Sequence, residues 1–306
     1  MNTDKILEVK DLSVSFRMYG AGLEQYDLKV ISDLSIDAKR GEILAIAGSS
    51  GSGKSLLAHA VMGLLPNNAS ASGEILYNGK TLTQKDKEAL RGKEIALVPQ
   101  SVNYLDPSMR VGSQAAGGRN GEKKTKQREV FSRFGLDERT EKMYPFQLSG
   151  GMARRVLVST AVISGADLII ADEPTPGLDL KMALEALKCF REMADTGKAV
   201  ILITHDIDLA FQTADRVAVF YAGTTVETAP SGDFLRGALR HPYSKALWNA
   251  LPQNGFQAVP GFQPYANNLP DGCLFAPRCP YKTRECEGNI SMRALRGGMV
   301  RCVHAT

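Results

Sequence analysis

The chain has 306 residues, 43% hydrophobic and 23% charged, enough for a sizeable core in one large domain or one domain with an appendage. Its net charge of +4, with both signs spread along the chain, gives no argument for nucleic acid. No apolar run approaches the roughly 20 residues of a membrane span, and the start Met1-Asn2-Thr3-Asp4-Lys5 lacks a charged-then-apolar signal, so any span is expected on another polypeptide.

Residues 7–9 and 12–16 alternate as half-exposed strands do, residues 19–27 with Gly20 and Gly22 read as a loop, and residues 30–38 resume the alternation. Residues 42–47 are short and apolar, as a buried parallel strand is. Immediately after comes Gly48-Ser49-Ser50-Gly51-Ser52-Gly53-Lys54-Ser55, matching G-x-x-x-x-G-K-[ST] at every fixed position. From Leu56 the chain continues as a helix until Pro66. Strand, glycine loop and helix start thus occur in the order a phosphate cradle requires. Backbone N–H groups and the helix N-terminus receive phosphate oxygens, Lys54 supplies charge for the β- and γ-phosphates, and Ser55 a hydroxyl for Mg²⁺. A glycine-rich turn that binds nothing is the bland alternative, and the flanking pattern disfavours it. This stretch predicts a bound nucleoside triphosphate.

Further strands are expected at residues 73–77, before an Asn78-Gly79 turn, and at 95–98. Residues 104–163 have a longer, helix-like pattern, read as a helical subdomain at about 101–163, with a solvated connection over residues 117–127. Residues 168–172 form an apolar strand ending in Asp172-Glu173. An Asp-Glu pair is usually only a polar turn, but downstream of a phosphate loop Asp172 reads as a Mg²⁺ ligand and Glu173 as the residue that polarises an attacking water. Gln100 is placed to reach the Mg²⁺ or the water, and His205, after a buried strand at residues 199–204, to contact the γ-phosphate. Ser149-Gly150-Gly151 opens a helix and forms a second anion-binding N-terminus. A chain with one phosphate loop does not need it for its own nucleotide, so it is expected to close over one held by a second subunit. Strands alternating with helices predict an α/β fold: a parallel-sheet core, an antiparallel β subdomain and a helical subdomain.

These stretches together resemble the ATP-binding subunit of an ABC transporter. The resemblance identifies Gly48–Ser55, with Leu56, as Walker A, residues 168–172 as Walker B, Glu173 as the catalytic base and Gln100 as the Q-loop. It makes residues 148–151 the signature, 177–179 the D-loop and His205 the switch histidine. Pro176-Gly177 departs from the small residue usual before the D-loop Leu-Asp. An aromatic that stacks on adenine is expected upstream: Phe16 fits best, with Tyr19 and Tyr26 nearby. Residues 241–247, 272–279 and Pro145 are similar to the oligopeptide, dipeptide and nickel importers. That resemblance implies a second homologous ATPase subunit, two permease subunits, an extracytoplasmic solute-binding protein, and a place on the cytoplasmic face of the membrane. Peptides, nickel and metal chelates all remain open as solutes. The domains are then a cassette over residues 1–251 and an extension over 252–306.

Five cysteines occur, four of them (Cys273, Cys279, Cys286 and Cys302) in the tail. Their spacing lacks the close pairs of zinc sites and the tight runs of ferredoxins. Free thiols, zinc and an iron–sulfur cluster stay open on spacing, while the resemblance implies a [4Fe–4S] cluster. Cys189 reads as a core residue. An ABC ATPase acting on nucleic acid or ribosomes is the competing function, disfavoured by the single cassette and the lack of coiled-coil insertions. A regulatory module that does not hydrolyse is ranked last, because Glu173 and His205 are both present.

Overall fold

The alternating pattern near the start extends further than its strongest sequence signal. In the computed structural model, which describes residues 4–117, 121–257 and 259–306, β1 (Lys5–Tyr19) and β2 (Gln25–Lys39) are 15 residues each. They pair antiparallel from Lys5↔Lys39 to Tyr19↔Gln25. The loop expected over residues 19–27 is therefore mostly hairpin. Only a single 3-10 turn at Ala21–Leu23 joins the strands, with Gly22 at φ 74°. Glycines there signalled a turn, and the flanking strands carried too few apolar residues to show how short it is.

β3 (Ile43–Gly48) is buried at every position and delivers the chain to the phosphate loop. α1 (Lys54–Met62) follows and ends at Gly63 in the left-handed region, before the expected stop at Pro66. β4 (Ala69–Tyr77) and the short β5 (Lys80–Thr81) flank the Asn78-Gly79 turn, completing a four-stranded antiparallel sheet in the order β2-β1-β4-β5.

α2 (Gln84–Leu90) leads into β6 (Ile95–Val98), then α3 (Val111–Ala116) and α4 (Gly121–Arg133). α4 corrects the solvated connection expected over residues 117–127. Its start is rich in Lys and lacks an apolar stripe, but Gln127, Val130 and Phe131 are buried and anchor it. Residues 118–120 of that expected connection lie outside the described residues. α5 (Gly150–Ser164), β7 (Leu168–Asp172), α6 (Leu180–Asp195) and β8 (Ala199–Ile203) follow. β6, β7 and β8 pair parallel, in register from Ile95↔Leu168 and Leu168↔Ala199. Cys189 is buried in α6, as expected of a core residue, and burial pushes its thiol up to about 11.

α7 (Ile207–Thr213), β9 (Arg216–Tyr221), β10 (Thr224–Pro230), α8 (Ser231–Leu235) and α9 (Pro242–Asn249) complete the stretch before the tail. β9 runs parallel to β3 and antiparallel to β10. Residues 252 onward are less of an appendage than their Pro and Gly content suggests. β11 (Arg293–Leu295) and β12 (Gly298–Val300) form a hairpin, and β12 pairs with β10 at Glu227↔Val300. The tail also buries Phe275, Ala276, Cys286, Val300 and Cys302.

The chain divides into two compact units. One comprises Met1–Lys39, Leu44–Thr83 and Thr204–Thr306, the other Arg40–Ile43 and Gln84–Ile203. Among the described residues, no helix is long and apolar enough to cross a membrane.

Candidate functional site

The first unit carries the phosphate loop. Gly48 ends β3 where no side chain fits: a Cβ there would stand 2.4 Å from the Phe220 carbonyl oxygen. Gly53, at φ 93°, precedes α1 and has no side chain to cap it, the arrangement in which a helix N-terminus can receive an anion. Lys54 is buried, and its ammonium donates to the carbonyls of Gly48 (2.8 Å) and Ser49 (3.0 Å). This is a cradle built for phosphate, with a cation folded against its rim. Ser52 is buried within the loop, Ser55 half-buried, and Leu56 half-buried on α1. His205 is exposed just before α7, whose N-cap Asp206 accepts from Leu209 N at 3.1 Å. Phe16 is half-buried on β1 opposite Leu28, whereas Tyr19 and Tyr26 are 64% and 46% exposed near the hairpin tip.

The hydroxyl of Ser49 points elsewhere. It donates to Gln263 of the tail, with the Tyr243 hydroxyl of α9 nearby. Tyr243 is buried against Tyr221 and Phe275, with ring centroids at 4.4 and 5.4 Å. The His241-Pro242-Tyr243 stretch thereby gains a physical reading. His241 caps α9 by accepting from Tyr243 N at 3.0 Å, proline sits at the first turn, and Tyr243 is held over the loop. Burial lowers the His241 imidazole to about 3, so it is a neutral acceptor at ordinary pH.

The second unit carries the carboxylates. Asp172 and Glu173 are both buried at the end of β7, and Glu173 has φ 49°, a left-handed conformation unusual for a residue with a side chain. Its N–H donates to the Ile203 carbonyl at 2.9 Å, which fixes the turn. Gln100 is exposed after β6. Arg154 of α5, unnoticed in the sequence, donates to the carbonyls of Pro99 (2.8 Å) and Gln100. Burial lowers its guanidinium, while Asp172 and Glu173 pull it back up. One arginine thus links α5, the backbone at Pro99-Gln100 and, through charge, the carboxylates at the end of β7. Its signal is weak, the first of two adjacent arginines one turn into a helix.

Ser149 is the N-cap of α5, accepting from Met152 N at 3.3 Å, and Gly150 and Gly151 form the first turn. Gly177 takes φ +81°, which explains glycine at this departure from the usual D-loop. Asp179 then caps α6 by accepting from Met182 N at 3.0 Å.

In the tail, Cys273, Cys279, Cys286 and Cys302 are all free thiols. Burial pushes the thiols of Cys273, Cys279 and Cys302 up, and Cys302 is raised further by the charges of the other three. Cys273 N also donates to the Cys286 carbonyl at 2.8 Å. Among the described residues no group of three or more His, Cys, Asp or Glu side chains is arranged to hold a metal ion.

Comparison with known proteins decides the family. A model described as ABC transporter matches residues 31–176, and one described as oligopeptide/dipeptide transporter, C-terminal region, matches residues 226–286. The dipeptide transport ATP-binding protein DppD of Bacillus subtilis is 37% identical, covering 93% of this chain and 89% of the relative. The chain belongs to the ABC transporter ATP-binding subunits of the oligopeptide/dipeptide group. The oligopeptide transport ATP-binding protein OppD of Salmonella typhimurium is 34% identical, covering 97% and 92% of the two chains. A dimeric ATP-binding cassette solved in a post-hydrolysis state with ADP and phosphate aligns at TM-score 0.64 and 26% identity, covering 74% of this chain and 98% of that one. As a member of this group, the chain has the ABC ATPase cassette fold and is an ATP-hydrolysing, energy-coupling transport subunit. The competing reading, an ABC ATPase that works on nucleic acid or ribosomes, has no support from these relatives.

Proposed function

We propose that this subunit drives import of a peptide, from the cytoplasmic face of a membrane, as one of a pair of ATPase subunits beneath two permeases served by an extracytoplasmic binding protein. The observation that carries the solute class is the match along nearly the whole chain to dipeptide and oligopeptide transport proteins, tail included. Peptide therefore stands ahead of nickel or a metal chelate. Tyr104 (53% exposed), Met109 (43%) and Phe146 (74%) offer apolar surface for a permease in the same unit as Gln100.

In this reading Gly48, Ser49 (through its backbone), Ser50, Gly51, Ser52, Gly53, Lys54, Ser55 and Leu56 hold the triphosphate, and Phe16 the adenine. Ser55, Gln100 and Asp172 hold Mg²⁺, which neutralises the phosphate charge as the γ-phosphate leaves. Glu173 takes a proton from the attacking water, and His205 contacts the γ-phosphate. Ser149, Gly150 and Gly151 meet the nucleotide of the partner ATPase. The purified chain alone is expected to be mainly monomeric and a poor ATPase, with turnover rising when its partner ATPase and permeases are added. Ser149→Arg puts bulk and misplaced charge at the α5 start and removes a cap of about 1 kcal/mol. It should block this stimulation while leaving ATP binding to the chain's own loop intact. Full activity from a strictly monomeric preparation contradicts the paired mechanism.

The four tail thiols are, in the same reading, ligands of a structural [4Fe–4S] cluster. What speaks for it is four unpaired cysteines within residues 273–302; their side chains form no metal-holding group in this structure. Iron binding would displace thiol protons and contribute to folding of the tail. Anaerobic purification followed by iron and acid-labile sulfide analysis is expected to give about four of each per chain for a cluster of this type. Stoichiometric zinc, or no metal in a stable, assembling protein, refutes the cluster.

A further inference from the structure

We propose that Gln263 is a positioning residue for nucleotide binding: the tail segment from Gly261 to Leu269 straps the phosphate loop in its binding conformation through Ser49. The inference rests on reading Gly48–Ser55 as the ATP site and adds to it a part of the chain outside the cassette motifs.

Ser49 sits between Gly48 and Ser50 at the mouth of a loop whose glycines leave it many conformations. Its hydroxyl is engaged by Gln263, which lies 214 residues away in sequence, beside the buried Tyr243 of α9. The strap is itself anchored. Arg278 donates to the carbonyls of Val259 (3.1 Å) and Pro260 (3.0 Å), immediately before the segment, and to the Tyr221 hydroxyl at 3.4 Å. Beyond Gln263, the segment borders Ser50 and Gly51 across a cleft of about 300 Å³ whose tail wall includes Phe262 and Tyr265. A hydrogen bond to Ser49 from an anchored segment narrows the loop's conformations before nucleotide arrives, so less binding energy is spent on ordering it. Because the Ser49 hydroxyl is directed at Gln263, the contact acts on the shape of the cradle and leaves the reacting groups alone.

The strap therefore predicts a split between affinity and turnover. In the full chain and in the assembled transporter, Gln263→Ala is expected to raise the Kd and KM for ATP about three- to tenfold, the worth of one hydrogen bond, with kcat unchanged. Gln263→Met keeps length and packing without the acceptor and should do the same, so a folding defect in the alanine variant does not decide the matter. Ser49→Ala combined with Gln263→Ala should cost no more than the larger single change, since both remove one contact. The inference is overturned by an unchanged Kd in both Gln263 variants, by a fall in melting temperature with Kd unmoved, or by additive single effects. Tighter ATP binding in the variants overturns it too, because the strap would then be an obstruction. Wild-type protein that fails to bind ATP overturns the ATP-site reading itself; normal wild-type binding with unaltered variants overturns the strap alone.

Discussion

Glu173→Gln is expected to keep ATP affinity and to lower turnover by about 10²–10⁴-fold, the usual worth of a general base. The residue is buried, follows the Walker B aspartate, and holds a left-handed φ of 49°. A residue with a side chain in that region carries strain of order 1 kcal/mol or more, and such outliers concentrate at functional sites. The turn is held by the bond from Glu173 N–H to the Ile203 carbonyl, which glutamine preserves. The substitution therefore removes the carboxylate proposed as the base without moving the backbone that aims it. Single-turnover hydrolysis in the assembled transporter, with the partner ATPase's own base disabled, is the measurement. A rate within a few-fold of the unmodified protein would show that Glu173 is not the base.

How far the sequence could be read follows from where each signal resides. The phosphate loop and the Asp172-Glu173 strand end are local patterns, in which a few adjacent residues suffice for the chemistry. Arg154 and Gln263 are not local. One reaches Pro99 and Gln100 from α5, the other reaches Ser49 from the tail, and neither has a neighbouring residue that announces its partner. The same contrast runs through the fold. β3, β7 and β8 are buried along their whole length and were plain as apolar runs. The start of α4 reads as a solvated connection because Glu122, Lys123, Lys124 and Lys126 carry no stripe, while its anchor comes later, at Gln127, Val130 and Phe131. The tail reads as an appendage because its few buried apolar residues are scattered and much of the rest of its hold is polar.

That polar hold is the basis of the second large effect. Arg240→Ala is expected to destabilise the protein by about 3–5 kcal/mol, the cost of breaking a buried ion pair from one side. The Arg240 side chain is 1% exposed and pairs at 3.3 Å with Glu227, which is 0% exposed, and at 2.6 Å with Asp233. It also donates to the carbonyls of Leu295 (2.7 Å) and Arg296, binding the β11–β12 hairpin. Without it, the Glu227 carboxylate keeps only backbone donors, Arg240 N at 3.0 Å and His241 N at 2.8 Å, deep in the interior. Arg240→Met, which refills the volume, should still lose more than half of that amount, because the charge left behind is the main cost. Chemical denaturation of the full chain measures both. A loss below about 1 kcal/mol, the scale of a surface pair, would mean the network contributes little.

The pairing of β12 with β10 has a consequence for handling and for synthesis of the chain. β10 is buried at every residue from Thr224 to Ala229, and its neighbours are β9 on one side and β12 on the other. Until residues 298–300 arrive, one row of its amides and carbonyls is open, on a strand with hardly a solvent-facing side chain to discourage company. An open edge of that kind invites strand addition from another molecule. A truncation at residue 251, natural as it looks from the cassette motifs, would leave that edge uncapped, and the shortened protein would be prone to aggregate. During translation the same edge waits through more than sixty residues of chain, between Pro230 and Gly298, for its cover. An aggregation-sensitive interval between the synthesis of β10 and that of β12 is expected from the order of the strands.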